Sequence, residues 1–264
     1  MTCGSPSEGR FCRTSDGYPG AYRTEVRAVS DRDRVAQVLA EEVRGADPAE
    51  TPGRLCHAAV RLLPVTGASV SLCAEGMPVP LSASSPRVEY LMEVQATLGD
   101  GPCLTAAATG APVFAWDLEA DRDALRWPVF AQHAAAAGIR AVYALPLGHR
   151  AVCVGTLDLY REAPGTLDVT DLDAARIVAD EMTRALMALT RPAQGGRRDE
   201  DTWLHALIAH HDEVYQAVGM VMAQLGVAAD EALARLRARA FAQDRTVMDM
   251  AHEVVGLRQG FDAG

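Results

Sequence analysis

Residues 214–255 read VYQAVGMVMAQLGVAADEALARLRARAFAQDRTVMDMAHEVV, and their apolar side chains recur at helical spacing in three successive passes. The first pass reaches back to about Thr202: Leu204, His211, Val218 and Leu225 stand seven apart, with Leu207, Val214 and Val221 between them. One side of that helix is therefore apolar apart from His211. Gly226 follows at the place where a left-handed residue ends a helix. Asp230 and Glu231 sit in the first turn of the second pass, where carboxylates meet the positive end of the helix dipole, and Leu233, Leu236 and Ala240 face one way. Thr246 opens the third pass with Asp249 three residues on, a relative of the capping box, and Val247, Met250, Ala251, Val254 and Val255 fall at i, i+3, i+4, i+7 and i+8. Each helix has one stripe to bury against the other two, which predicts an all-α three-helix module over residues 202–259, with a short tail at 260–264.

Within the first helix Gly219 is out of place, since a mid-helix glycine costs about 1 kcal/mol against alanine. Two explanations are open: a tight crossing with another helix, or close approach of an outside partner to the bare backbone.

The spacing of Ala217, Gly219, Ala232, Leu236 and Ala251 resembles the ANTAR family, a small helical RNA-binding output module at the end of bacterial signalling proteins. Ala217 and Gly219 lie where that family has its alanine and glycine. The resemblance implies contact with hairpin loops of nascent RNA and promotion of transcription antitermination. From Trp203 onward five arginines face eight carboxylates, a net −3, so no broad basic footprint exists. Four of the arginines nevertheless crowd into residues 235–245, and Arg235 and Arg239 share a helix face at i, i+4. Guanidinium groups fork onto phosphate and stack on exposed bases, so Arg235, Arg239 and Arg245, with Tyr215 as an aromatic platform beside Ala217 and Gly219, are the expected RNA-binding residues. Two positions depart from the commoner family pattern: His211 and Val218 stand where a basic residue and a lysine are usual. That loss of charge favours the alternative, a dimerisation or protein-interaction module of the same fold that does not bind RNA.

Upstream, Pro192, Gly195 and Gly196 break any continuous helix and mark a linker over 191–201. Before it, Leu172, Ala175, Ala179, Met182, Leu186 and Leu189 follow the 3–4 spacing of a coiled-coil seam. The seam predicts either a homodimer or packing on the chain's own sheet or first helix.

Residues 31–190 change character from helix to sheet. A helix from Asp33 ends near Pro48 and Pro52, and a second runs from Arg54 through Leu55, Ala59, Leu62 and Leu63. Ala68–Ala74 alternates Val70, Leu72 and Ala74 with Ser69, Ser71 and Cys73, the period of a half-buried strand. PVPLSAS, PVFAWDL, IRAVYALPL and AVCVGTLDLY read as further strands, the last two joined at a Gly148–Arg150 turn. Helices are expected over Glu89–Leu98, Leu104–Thr109 and WPVFAQHAAAAG, so the domain is α+β, an antiparallel sheet flanked by helices. LGDGPCLTAAATGAPVFAWDL, WPVFAQHAAAAGIRAVYALPL and VGTLDLYR together resemble the GAF domain of sensory proteins. The resemblance implies a sensor for a small-molecule effector, here unidentified, acting on the helical output. Cys103, at the mouth of the Gly99–Pro102 loop, also resembles the cysteine of GAF-type methionine sulfoxide reductases, but the second cysteine expected within Asp117–Trp127 is missing. No catalytic residue, metal site or cofactor is therefore assigned.

The remaining features set limits. Residues 1–30 are rich in Gly, Ser, Pro and Thr without periodicity and predict a disordered leader. The chain carries a net charge of −10, which argues against general nucleic-acid binding and leaves only a local RNA contact. All 25 basic residues are arginine. The six cysteines, at 3, 12, 56, 73, 103 and 153, lack CxxC spacing and read as reduced thiols of a cytoplasmic protein. No signal peptide or membrane span is expected.

Overall fold

The computed structural model describes residues 32–74, 77–149, 152–189 and 213–257. Helix α1 (32–43) and α2 (Thr51–Leu62) lead into strands β1 (Gly67–Ala74) and β2 (Met77–Ala83). Helices α3 (Pro86–Leu98) and α4 (Pro102–Thr109), the short β3 (Val113–Ala115), and helices α5 (Asp121–Arg126) and α6 (Pro128–Ala136) follow. The long hairpin of β4 (Ala141–His149) and β5 (Val152–Arg161) and helix α7 (Val169–Leu189) complete the first unit. The sheet is antiparallel throughout, in the order β2-β1-β5-β4-β3.

Two apolar layers sandwich this sheet. On one face Leu55, Ala59, Val70, Leu72, Leu157, Leu159, Ala175, Val178 and Met182 join α2 and α7 to the strands. On the other, Val88, Leu91, Ala106, Phe130, Ala134, Val142 and Ala144 join α3, α4 and α6.

Three expectations are corrected. Pro52 lies in the first turn of α2, where its missing N–H is no loss, so it starts the helix instead of breaking the previous one. The Ser69 and Ser71 side of β1 is not solvated: both serines are buried, because α3 and α4 cover that face. The PVFAWDL segment pairs over only three residues, since the N–H groups of Trp116 and Asp117 turn to the buried Asp123 carboxylate at 2.8 and 3.2 Å. The seam of α7 follows the second of its two expected alternatives: Ala175, Ala179, Met182 and Leu186 are buried against the sheet and α2.

The C-terminal module consists of α8 (Glu213–Leu225), α9 (Ala229–Ala242) and α10 (Val247–Leu257). Val214, Ala217, Val221, Ala232, Leu236, Ala240, Met250 and Ala251 form its core. Gly226 ends α8 with φ 67°, its N–H bonded to Met222 O at 2.9 Å. At the start of α10, Thr246 Oγ1 accepts from the Asp249 N–H at 3.0 Å, while Asp249 Oδ2 accepts from the Thr246 hydroxyl at 2.8 Å. The stretch of the first helix before Glu213, with Leu204, Leu207 and His211, lies outside the described residues, as do the expected leader, linker and tail. Among the described residues no single helix is long and apolar enough to cross a membrane.

Candidate functional site

Between the sheet and helices α3 and α4 lies a buried polar cluster. Asp158 and Thr156 on β5, Ser69 and Ser71 on β1, Tyr160, and Gln95 on α3 are all buried. Gln95 joins the parts: its Nε2 donates to Asp158 Oδ2 at 3.0 Å, and its Oε1 accepts the Cys103 N–H at 2.9 Å, tying α3 to the start of α4. Tyr160 OH bonds Ser69 Oγ at 3.2 Å and donates to Asp158 Oδ2 at 3.4 Å. Gly101 makes the approach possible. Its φ is 145°, and a Cβ there would come within 2.5 Å of Gln95 Oε1.

The cluster is incompletely satisfied. Asp158 Oδ1 and Thr156 Oγ1 are buried with no hydrogen-bond partner, and each such group costs about 1–3 kcal/mol. Burial pushes the Asp158 carboxyl up to about 7, against the lowering effect of the bonds from Gln95 and Tyr160. Burial, reinforced by the nearby Asp158, also holds the Cys103 thiol well above the ordinary range, the opposite of the activation a thiol nucleophile needs. The sequence reading missed Asp158 and Gln95. The polar alternation of Ser69 and Ser71, facing the threonine and aspartate of GTLDLY, was the available signal.

The output module rests on the sensor through α3. Thr97 Oγ1 accepts the first N–H of α10, that of Val247, at 3.2 Å. The Arg237 guanidinium packs over Gly99, its Nε buried without a hydrogen-bond partner, and loss of solvation lowers its pKa. Phe241 meets the His133 ring edge-on at 6.0 Å, and Tyr90 OH shares a 2.5 Å hydrogen bond with His133 Nδ1. A cleft of about 320 Å³ remains along this seam, lined by Tyr90, Glu93, His133, Phe241, Arg245 and Asp249 among others.

The expected RNA-binding residues are not assembled into one surface. Ala217 is fully buried in the module core, whereas Gly219 is exposed. Two residues along a helix turn through about 200°, so the pair cannot share a face. A Cβ on Gly219 would meet nothing within 4 Å, so among the described residues no tight helix crossing accounts for it. Val218, where the family usually has lysine, is buried. Arg235 is paired with Glu231 at 2.7 Å, and Arg245 with Glu253. Arg239 on α9 and Tyr215 on α8 are both half-buried. Among the described residues no group of three His, Cys, Asp or Glu side chains is set to hold a metal ion.

A five-stranded antiparallel sheet layered by helices, with a buried polar cluster below it and a helical module docked on α3, defines a sensor joined to an output element. The chain belongs to the GAF domain family, whose model matches residues 45–187. Residues 204–255 match the ANTAR domain, making the chain a GAF- and ANTAR-domain-containing regulator. No curated protein matches it. Among solved structures, it is similar to free methionine-R-sulfoxide reductase of Neisseria meningitidis in complex with its substrate, at 18% identity over 62% of this chain and 91% of that one, with a TM-score of 0.45. It is also similar to the GAF domain of a phosphoenolpyruvate-protein phosphotransferase from Coxiella burnetii, at 12% identity over 60% and 94%, with a TM-score of 0.48.

Proposed function

We propose that this chain is a non-catalytic, signal-responsive RNA-binding regulator: a small effector engages the polar cluster of the sensor and thereby frees the output module to bind hairpin loops of nascent RNA and promote antitermination. The observation that carries this reading is the double duty of α3. Gln95 reaches into the cluster at Asp158, and Thr97, two residues on, holds the first N–H of α10. A ligand that completes the hydrogen bonding of Asp158 and Thr156 competes for Gln95 and strains the Thr97 contact. The docked arrangement then suits a resting state, because Arg237 is covered by the sensor. Release uncovers the Arg237 guanidinium for phosphate and base contacts, with the bare Gly219 backbone on the accessible side of α8.

The test is binding of the full chain to a labelled two-hairpin RNA at low and moderate salt, beside a scrambled RNA of equal length. Selective binding that weakens with salt and with Arg239→Ala supports the proposal. Equal or absent binding, unchanged when Thr97→Val loosens the docking, overturns it in favour of the second reading, a protein-interaction module. That reading is favoured by the net −3 of the C-terminal segment and by the buried Val218.

A further inference from the structure

The fold brings together two cysteines that stand 80 residues apart in the chain. Cys73 lies on β1 one residue beyond Leu72, and Cys153 lies on β5 two residues before Gly155; Leu72 and Gly155 are the last registered pair of these strands. Their Sγ atoms are 3.8 Å apart, and both residues are partly exposed, in contrast to the buried Cys56 and Cys103. A disulfide needs a separation of about 2.05 Å, so side-chain rotation has to close less than 2 Å.

We propose that Cys73 and Cys153 form a dithiol site that a hydroperoxide converts to an intramolecular disulfide. Cys153 is the attacking sulfur. Its thiol is pushed down to about 6 by the hydrogen bond with Cys73, against burial, with help from backbone contacts at Gly155 and Leu147, whereas the same bond with Cys153 raises Cys73. The Cys153 thiolate attacks one peroxide oxygen, the O–O bond breaks, and the alcohol leaves with a proton, giving a sulfenic acid. The Cys73 sulfur then attacks the Cys153 sulfur; the S–O bond breaks and hydroxide departs as water with the Cys73 proton. Two thiols are oxidised, and one peroxide is reduced to alcohol and water.

The site also lies where a change of bonding is felt by α7. Cys153 Sγ lies 3.1 Å from Gly155 O, so its change of bonding takes place beside that carbonyl. Gly155 packs closely on Leu186, while Thr183 Oγ1 accepts the Gly148 N–H at 3.2 Å, so the last turns of α7 sit on this end of the sheet.

The experiment treats the reduced full chain with stoichiometric hydrogen peroxide near neutral pH, quenches with an alkylating reagent, and maps peptides without reduction. The expected result is one cross-linked peptide pair containing Cys73 and Cys153, a loss of two hydrogen atoms from the mass, two alkylatable thiols lost, and full reversal by dithiothreitol. Cys153→Ser and Cys73→Ser each abolish the linked peptide. Because the mapping uses the unmodified chain, a poorly folding variant does not decide the outcome. Persistence of both free thiols, or oxidation of Cys153 to sulfinic acid with Cys73 still alkylatable, overturns the proposal.

Discussion

Asp158 is the residue with the largest consequence for its size. A free aspartate loses its proton near pH 4, whereas burial pushes the Asp158 carboxyl up to about 7. Between those values the folded chain keeps a proton that the unfolded chain has released, so stability falls as pH rises through that window. Asp158→Asn, which stays neutral and still accepts from Gln95, is expected to flatten this dependence and raise the melting temperature at pH 8; an unchanged slope would remove Asp158 as its source. Gly219→Ala tests the other singular residue. With open space around it, the change is expected to add about 1 kcal/mol of stability while weakening RNA binding, measured by chemical denaturation and RNA titration on the same preparation. At this scale the sequence revealed the anomaly of Gly219 by helix propensity alone. Asp158 and Gln95 escaped because their significance arises from burial between elements far apart in sequence, which residue type and spacing do not encode. The Ala217 assignment followed the family position, and helical geometry turns that side chain into the core.

The elements themselves were largely legible. Strong periodicity located β1, β2, β4, β5 and the three C-terminal helices, and local chemistry located their ends, as with Gly226 and the Thr246–Asp249 pair. The seam of α7 was ambiguous for a physical reason: an apolar stripe at 3–4 spacing satisfies a partner helix and a sheet equally well. Only the contact with α2 and the strands chooses between them. Likewise β3 stops early because Asp123, seven residues from Trp116, captures its N–H groups. Helix α10 carries the sharpest element-level prediction. Thr97→Val keeps the side-chain volume and removes the acceptor for the Val247 N–H, a loss of about 1 kcal/mol. Amide exchange in the first turn of α10 is expected to quicken severalfold while that of β4 and β5 stays the same. Equal rates in both proteins would show that the Thr97 bond does not hold the helix.

Across the whole molecule, sequence divided the chain into sensor and output by the break at Pro192, Gly195 and Gly196, yet chemistry stitches them together again at α3. The sensor contributes an acceptor to α10, a glycine backbone under Arg237, and a ring against Phe241. One of the first-turn N–H groups that a helix leaves without an internal partner, that of Val247, is satisfied here by the other unit. The excised module, from residue 202 onward, is therefore expected to melt at a lower temperature than the same residues within the full chain, and the full chain to give a single calorimetric peak. Two well-separated peaks would mean that the units unfold independently. The Thr97 acceptor thus sets a boundary of cooperativity that runs through the output module instead of along the linker: any change that softens α3 lowers the melting point of a helix 150 residues away.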